Sequence, residues 1–233
     1  MQLFYVPEYN GESLVTLDKE ESAHIVRVLR LKENEEISLT DGRGNFFFAK
    51  IIDANPNRCA VEIYKIIEEY GKKDFYIHLA IAPTKNINRI EWLLEKATEL
   101  GIDEITPLLC EHSERKDVKN ERLEKILVSA MKQSLKAYKP VLNPMTKIED
   151  LIRNSKEEQK FICYCEGERK FIKDVCEKHK SYLVLIGPEG DFSPKEIALC
   201  KEHNFSLITL GSQRLRTETA ALYAISNLHF VNQ

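Results

Sequence analysis

The 233-residue chain reads as an α/β protein in two parts, a small β-barrel followed by a parallel sheet flanked by helices. Three observations predict this. Short segments rich in Ile, Val, Phe and Tyr, separated by close turns, fill the first seventy residues. From Phe75 onward, near-continuous apolar strands alternate with stretches of helical period, the pattern of a parallel sheet covered on both faces. Between them, Glu68–Asp74 is charged and contains Gly71, so 1–72 and 73–233 are the expected domains.

In the first part, strands are expected at Leu3–Val6, Glu36–Thr40, Phe46–Ile52 and Cys59–Ile66. Their turns are Asp41-Gly42-Arg43-Gly44-Asn45 and Asn55-Pro56-Asn57. A short helix is expected at Lys19–Leu29. In the second part Phe75–Ala82 is the first strand. Ile90, Leu93, Leu94, Ala97 and Leu100 then mark one helical stripe, closed by Gly101. Ile102–Leu109 is a strand, and a long helix begins near Asn120 and is stopped by Pro140. Beyond it strands at Phe161–Cys165, Tyr182–Ile186 and Phe205–Leu210 alternate with helices at Lys170–Lys178, Pro194–Glu202 and Thr219–Phe230.

Composition narrows the function classes. Hydrophobic residues are 43% and charged residues 30%, which is globular material. No apolar run is long enough for a membrane span, and Met1–Tyr9 lacks the basic start and apolar middle of a signal peptide, so a cytoplasmic protein is expected. The cysteines at 59, 110, 163, 165, 176 and 200 contain no Cys-x-x-Cys pair, and Cys110-Glu-His112 alone is too little for zinc; no metal is expected. Net charge is −3, but it is unevenly spread. Residues 1–72 hold nine basic and thirteen acidic side chains, whereas His112–Lys139 holds eight basic and four acidic. That second stretch is either a solvated helix face or a footprint for phosphates.

In an open parallel sheet ligands bind at the carboxyl ends of the strands, and two such ends stand out. The first is Ile186-Gly187-Pro188-Glu189-Gly190-Asp191-Phe192-Ser193-Pro194-Lys195-Glu196, with two glycines and a capping box, Ser193 with Glu196, opening the next helix. The second is Leu210-Gly211-Ser212-Gln213-Arg214-Leu215-Arg216-Thr217-Glu218-Thr219-Ala220, where two arginines precede a helix of small residues. Each is an ordinary strand-to-helix turn or a ligand loop, and the arginines suit an anion. No nucleotide-binding Gly-x-x-x-x-Gly-Lys, no Gly-x-Ser-x-Gly elbow and no His-Glu-x-x-His occurs.

Together these two loops resemble the signature of the RsmE family, SPOUT-class enzymes that methylate N3 of a uridine in small-subunit ribosomal RNA. The likeness covers the whole chain: His24-Ile-Val-Arg27-Val-Leu-Arg30-Leu and Asp41-Gly42-Arg43-Gly44 near the start, Lys85 and Glu95-Lys96-Ala97-Thr98-Glu99-Leu100-Gly101 in the middle, and Ala130, Gln133 and Ser134 on the long helix. The resemblance implies a PUA-like RNA-binding barrel over 1–72 and a SPOUT domain over 73–233 whose chain is threaded into a trefoil knot. It implies a homodimer acting on 16S rRNA of the small ribosomal subunit. S-adenosylmethionine would be the cofactor, held by Ile186, Gly187, Pro188, Glu189, Gly190, Leu210, Gly211, Leu215, Arg216, Thr219 and Ala220, with a third loop near Cys165.

On that resemblance Arg216 is the expected stabiliser of charge on the base carbonyls. Glu189 and Glu218 are both candidates for accepting the N3 proton. Arg27, Arg30, Arg43, Lys85, Arg115, Arg122, Gln133 and Lys136 are the expected RNA contacts. Three departures from the family pattern are visible: Asp191 stands where glycine is usual, Gln213-Arg214 where Arg-Ile is usual, and Leu135-Lys136 where Gly-Arg is usual. The rival readings are a non-catalytic RNA-binding or assembly protein of the same fold, and a SPOUT methyltransferase acting on another RNA.

Overall fold

In the computed structural model, which describes residues 2–164 and 170–233, the chain forms two compact units. One comprises residues 1–72 with 128–139, and the other residues 73–127 with 140–233.

The first unit is built on a five-stranded sheet. Its strands are β1 (Leu3–Tyr5), β2 (Leu14–Thr16), β3 (Glu36–Thr40), β4 (Phe46–Asp53) and β5 (Ala60–Ile67), ordered β1-β3-β4-β5-β2. Only β1 and β3 pair in parallel; the other pairs are antiparallel. Phe4, Leu39, Phe47, Ile51 and Val61 are buried in one cluster. Helix α1 (Lys19–Ala23) starts at Asp18, whose side chain accepts the Glu21 N–H at 2.8 Å. It continues as one π-helical stretch, His24–Val28. The three-residue β2 was not expected from the sequence, because its exposed and half-exposed side chains carry no apolar alternation to read.

Residues 128–139, assigned by sequence to the sheet domain, pack within the first unit instead. The Ala137 carbonyl accepts from Thr40 Oγ1 at 3.2 Å and from the Gly44 N–H at 2.8 Å, and the Lys139 N–H donates to Gly42 O at 2.9 Å. Ala137 itself is buried with Leu3 and Phe46. Helix α3 (Asn120–Gln133) leads into this segment and ends well before Pro140. Ser134 Oγ donates to Ala130 O at 2.7 Å, and Leu135 turns to φ +54, so the Lys136 N–H closes on Met131 O. A leucine in that left-handed region costs about 1–2 kcal/mol where glycine would cost little.

The second unit holds an all-parallel sheet. Its strands are β6 (Tyr76–Ile81), β7 (Glu104–Leu109), β8 (Val141–Leu142), β9 (Thr146–Lys147), β10 (Gln159–Cys163), β11 (Lys170–Phe171), β12 (Ser181–Ile186) and β13 (Ser206–Thr209). They run in the order β11-β13-β10-β12-β6-β7-β8, with β9 also on β7. Tyr182–Ile186 of β12 are buried, as a central strand covered on both faces should be. On one face lie α2 (Ile87–Leu100) and α7 (Thr217–Val231), which pack on each other; on the other lie α4 (Ile148–Asn154) and α6 (Pro194–Glu202). The expected stripe Ile90, Leu93, Leu94 and Ala97 is the buried face of α2, and Gly101 ends it at φ +89.

The helix expected at Lys170–Lys178 is instead β11 followed by a single turn, α5 (Ile172–Val175). The chain beyond is held extended by tertiary bonds: the Glu177 N–H donates to Gln159 Oε1 at 2.9 Å, and the Tyr182 hydroxyl donates to Glu177 O at 2.6 Å. β8, β9 and α4 lie where no element was expected, since two-residue strands leave no period. Among the described residues no helix is long and apolar enough to cross a membrane.

Candidate active site

At the carboxyl ends of β10, β12 and β13 the second unit opens a cleft of about 710 Å³, lined by both loops singled out in the sequence. That volume is ordinary for a small-molecule site.

The loop after β12 is shaped by its own chain. The Asp191 N–H donates to Pro188 O at 3.0 Å, and Asp191 takes φ +60. Its Oδ1 accepts the Phe192 N–H at 2.8 Å, the local bond that makes this conformation tolerable for aspartate. The Ser193/Glu196 capping box then starts α6. Glu196 is buried, and its Oε1 also accepts the Glu111 N–H at 2.8 Å, tying the loop after β7 to this turn.

The two glycines of this loop serve a different purpose from the one expected. A Cβ on Gly187 would meet the Phe192 ring at 3.1 Å, and one on Gly190 would meet His112 Cβ at 3.1 Å. The space that glycine leaves is taken by this chain's own side chains rather than kept for a ligand.

The loop after β13 is more exposed. Gly211 is tied back by its N–H to Thr209 Oγ1 at 3.3 Å, while Thr209 Oγ1 donates to Gly211 O at 3.1 Å. Ser212, Gln213, Arg214 and Arg216 are exposed. Arg216 is the N-cap residue of α7 and provides no side-chain cap, so the first-turn N–H groups of this helix face the cleft beside two arginines. That is an arrangement suited to an anionic group.

Of the expected cofactor residues, Ile186, Gly187, Pro188, Glu189, Leu210, Gly211, Leu215, Arg216 and Ala220 line the cleft, as does Glu218; Gly190 and Thr219 do not. Cys165, expected at a third loop, lies outside the described residues, but Cys163 and Tyr164 just before it reach the cleft. The residue missed by sequence reasoning is Arg89. It stands on the first turn of α2, lines the cleft, and brings its Nε to 3.8 Å from Glu218 Oε1. Only its place next to the helix start capped by Asn86 could have hinted at this.

The expected RNA contacts divide between the units. In the first unit Arg27, Arg30 and Gln133 are exposed and Lys136 is half-buried. Arg43 is turned inward: it donates to Pro7 O at 2.6 Å and Tyr9 O at 2.9 Å, and pairs with Asp41 at 3.4 Å. In the second unit Lys85 is exposed and pairs with Glu114 at 3.2 Å. Arg115 donates to Thr84 O at 3.1 Å and Lys85 O at 2.6 Å, and Arg122 pairs with Glu91 at 2.6 Å. These last two brace their own loops and helices.

A second polar cluster sits toward the amino ends of the strands. His78 on β6 lies between Glu157, 2.6 Å from Nδ1, and Thr106, 2.7 Å from Nε2. Glu104 is 3.7 Å from Nε2. These three ligand types lie within 4.8 Å of one another, but both imidazole nitrogens already have hydrogen-bond partners.

Comparison with known proteins places the chain as follows. Residues 72–229 match the family described as RNA methyltransferase domain, and residues 17–64 match RNA methyltransferase PUA domain. The chain is 30% identical to the ribosomal RNA small subunit methyltransferase E of Aquifex aeolicus, over 98% of this chain and 99% of that protein. Its structure superposes on a probable rRNA-methyltransferase from Porphyromonas gingivalis with a TM-score of 0.93 and 40% identity, covering 100% and 98% of the two chains. It superposes on a ribosomal RNA small subunit methyltransferase E from Neisseria gonorrhoeae bound to S-adenosyl methionine with a TM-score of 0.90 and 28% identity, covering 100% and 98%.

Proposed function

The chain belongs to the ribosomal RNA small subunit methyltransferase E family, and on that premise we propose that it transfers a methyl group from S-adenosylmethionine to N3 of one uridine in 16S ribosomal RNA. The observation that carries this reading is the cleft itself, walled by the 186–191 and 209–220 segments and holding Arg216 and Glu218 together. It fits the cofactor in size, and it keeps a buried carboxylate oxygen, Glu218 Oε2, without a protein donor, as a wall awaiting a polar ligand does.

Bound S-adenosylmethionine supplies a methyl group already activated on sulfur. The protein's task is then alignment of the acceptor nitrogen with that carbon, and handling of the N3 proton. Arg216, exposed at the mouth, faces the negative charge that spreads onto the uracil carbonyl oxygens as the proton leaves. Glu189 and Glu218 are the carboxylates within the cleft able to take the proton. The target base enters unstacked, at a cost of a few kcal/mol in a paired strand.

For the RNA, we assign Arg27, Arg30, Gln133 and Lys136 of the first unit and Lys85 of the second as contacts, supported by their exposure or edge position. Arg43, Arg115 and Arg122 hold the surfaces that carry them. The same reading makes the protein a cytoplasmic homodimer with a PUA-like 1–72 and a SPOUT-type 73–233. The trefoil threading belongs to this proposal too, supported by the parallel order β13-β10-β12-β6-β7 and the return of α7 onto α2.

The test incubates the protein with labelled S-adenosylmethionine and small subunits lacking the modification, followed by nucleoside mass spectrometry. One N3-methyluridine per subunit is expected. Cofactor binding with methylation of a different RNA or nucleoside would replace the substrate, and absence of cofactor binding would favour the non-catalytic alternative.

A further inference from the structure

The two carboxylates of the cleft are not equivalent. Glu189 is exposed, and its Oε1 accepts the Lys85 backbone N–H at 3.3 Å. Glu218 is 6% exposed, on the first turn of a fifteen-residue helix whose N-terminal dipole favours an anion there. Arg89 Nε stands 3.8 Å from Glu218 Oε1, too far for a direct hydrogen bond but close enough to balance the charge. Glu218 Oε2 is buried and has no hydrogen-bond partner among the described residues. Native proteins rarely leave such an acceptor open, and its position in the wall of the cleft makes a bound donor the natural partner.

The donor's character follows from the surroundings. Arg214 and Arg216 line the same cleft as Arg89, with Glu189, Asp191, Cys163 and Tyr164 the other titratable groups. Glu218 already has Arg89 as counter-ion, so a second cation against the same carboxylate would meet like charge from Arg89. A neutral N–H meets none, and an imide N–H of uracil is such a donor.

We propose that Glu218 Oε2 accepts the N3–H of the target base and takes its proton, and that Arg89 is a positioning residue that aims this carboxylate. This rests on the methyltransferase reading above. The proton passes from N3 to Oε2, and the N–H bonding pair becomes the lone pair that forms the bond to the methyl carbon. The carbon–sulfur bonding pair stays on sulfur. Carboxylate and sulfonium charges vanish together, leaving a neutral acid, a thioether and an N-methylated base, so the reaction creates no net charge in the cleft.

The experiment compares wild type, Glu218→Gln, Glu189→Gln, Arg89→Gln and Arg89→Lys for S-adenosylmethionine affinity by calorimetry and for single-turnover methylation of small subunits between pH 6 and 9. Glu218→Gln should bind cofactor within about threefold of wild type yet react at least about 100-fold more slowly. Its residual rate should climb with pH as hydroxide replaces the lost acceptor. Glu189→Gln should remain within about tenfold, and Arg89→Lys should recover most of the rate lost in Arg89→Gln, which a merely structural role would not predict. A Glu218→Gln protein that loses cofactor affinity by tenfold or more would assign the donor to the cofactor and overturn the proposal. So would one that keeps its rate. A wild-type protein that binds cofactor but methylates no uridine N3 would instead sink the parent reading, and this assignment with it.

Discussion

His112 closes over Gly190: a Cβ on the glycine would stand 3.1 Å from the histidine Cβ, and the imidazole Nδ1 lies 3.1 Å from the carbonyl oxygens of both Gly190 and Asp191. Carbonyls only accept, so Nδ1 carries the proton and donates to the loop. Contact and hydrogen bond together hold the turn that forms one wall of the cleft.

Substitution at this contact should therefore be read in ligand affinity. Gly190→Ala should push the histidine and loop apart and weaken S-adenosylmethionine binding about tenfold, from about 1–2 kcal/mol of overpacking. His112→Ala in the same chain should recover room but not the latch, leaving affinity between the two. Calorimetry on the single and double variants checks this. Equal affinity for wild type and Gly190→Ala would show that the loop yields freely.

Gly44 and Tyr138 make a tighter contact in the first unit. Gly44 sits at φ +107, and a Cβ there would lie 2.5 Å from the tyrosine Cζ and hydroxyl oxygen. Gly44→Ala should destabilise the protein by about 2 kcal/mol or more, combining backbone strain with the clash. Pairing it with Tyr138→Ala should remove the clash and leave the strain. Thermal unfolding of the three variants against wild type separates the parts.

The His78–Glu157 contact carries a pH dependence. Burial raises the Glu157 carboxyl, but hydrogen bonds from His78 and from backbone N–H groups outweigh it and hold the group below its ordinary 4.5. A folded-state value below the unfolded one gives stability that is complete above the ordinary carboxylate range and is lost as pH falls through the lower value. Glu157→Gln should therefore lower Tm by about 2–4 °C at pH 7, with the gap to wild type closing toward pH 3. His78, Glu104 and Tyr76, which share this network, are intact in both proteins. A gap that widens on acidification would contradict the assignment.

Thiol reactivity should sort the cysteines by position. Burial, aided by Asp53, pushes Cys59 up to about 11; burial, aided by Glu196, pushes Cys200 up to about 12 and also raises Cys110. At pH 8 these three should resist iodoacetamide in the folded protein and label after denaturation. Cys163, at the cleft, should label slowly and be protected by saturating S-adenosylmethionine. Peptide mass spectrometry reads each site.

The alternation of strand and helix after Phe75 was legible because each buried strand is a continuous apolar run and α2 shows its stripe at every turn. The Ser193/Glu196 capping box was equally plain, since both partners lie within four residues. Elements of two or three residues such as β2, β8 and β9 carry no period, and the one-turn α5 is ended by bonds from Gln159 and Tyr182 that no local pattern announces.

Sequence alone determined the two loops, their order on the sheet and the residue types that meet there, because strand ends and helix starts are written in local chemistry. Only the tertiary structure decided that Ala137 and its neighbours belong with the first unit, that Gly187 and Gly190 make room for Phe192 and His112, and that Arg89 meets Glu218. Each of those is a contact between segments distant along the chain. Packing in three dimensions selects among the partners a side chain could have, and no spacing along one dimension records that choice.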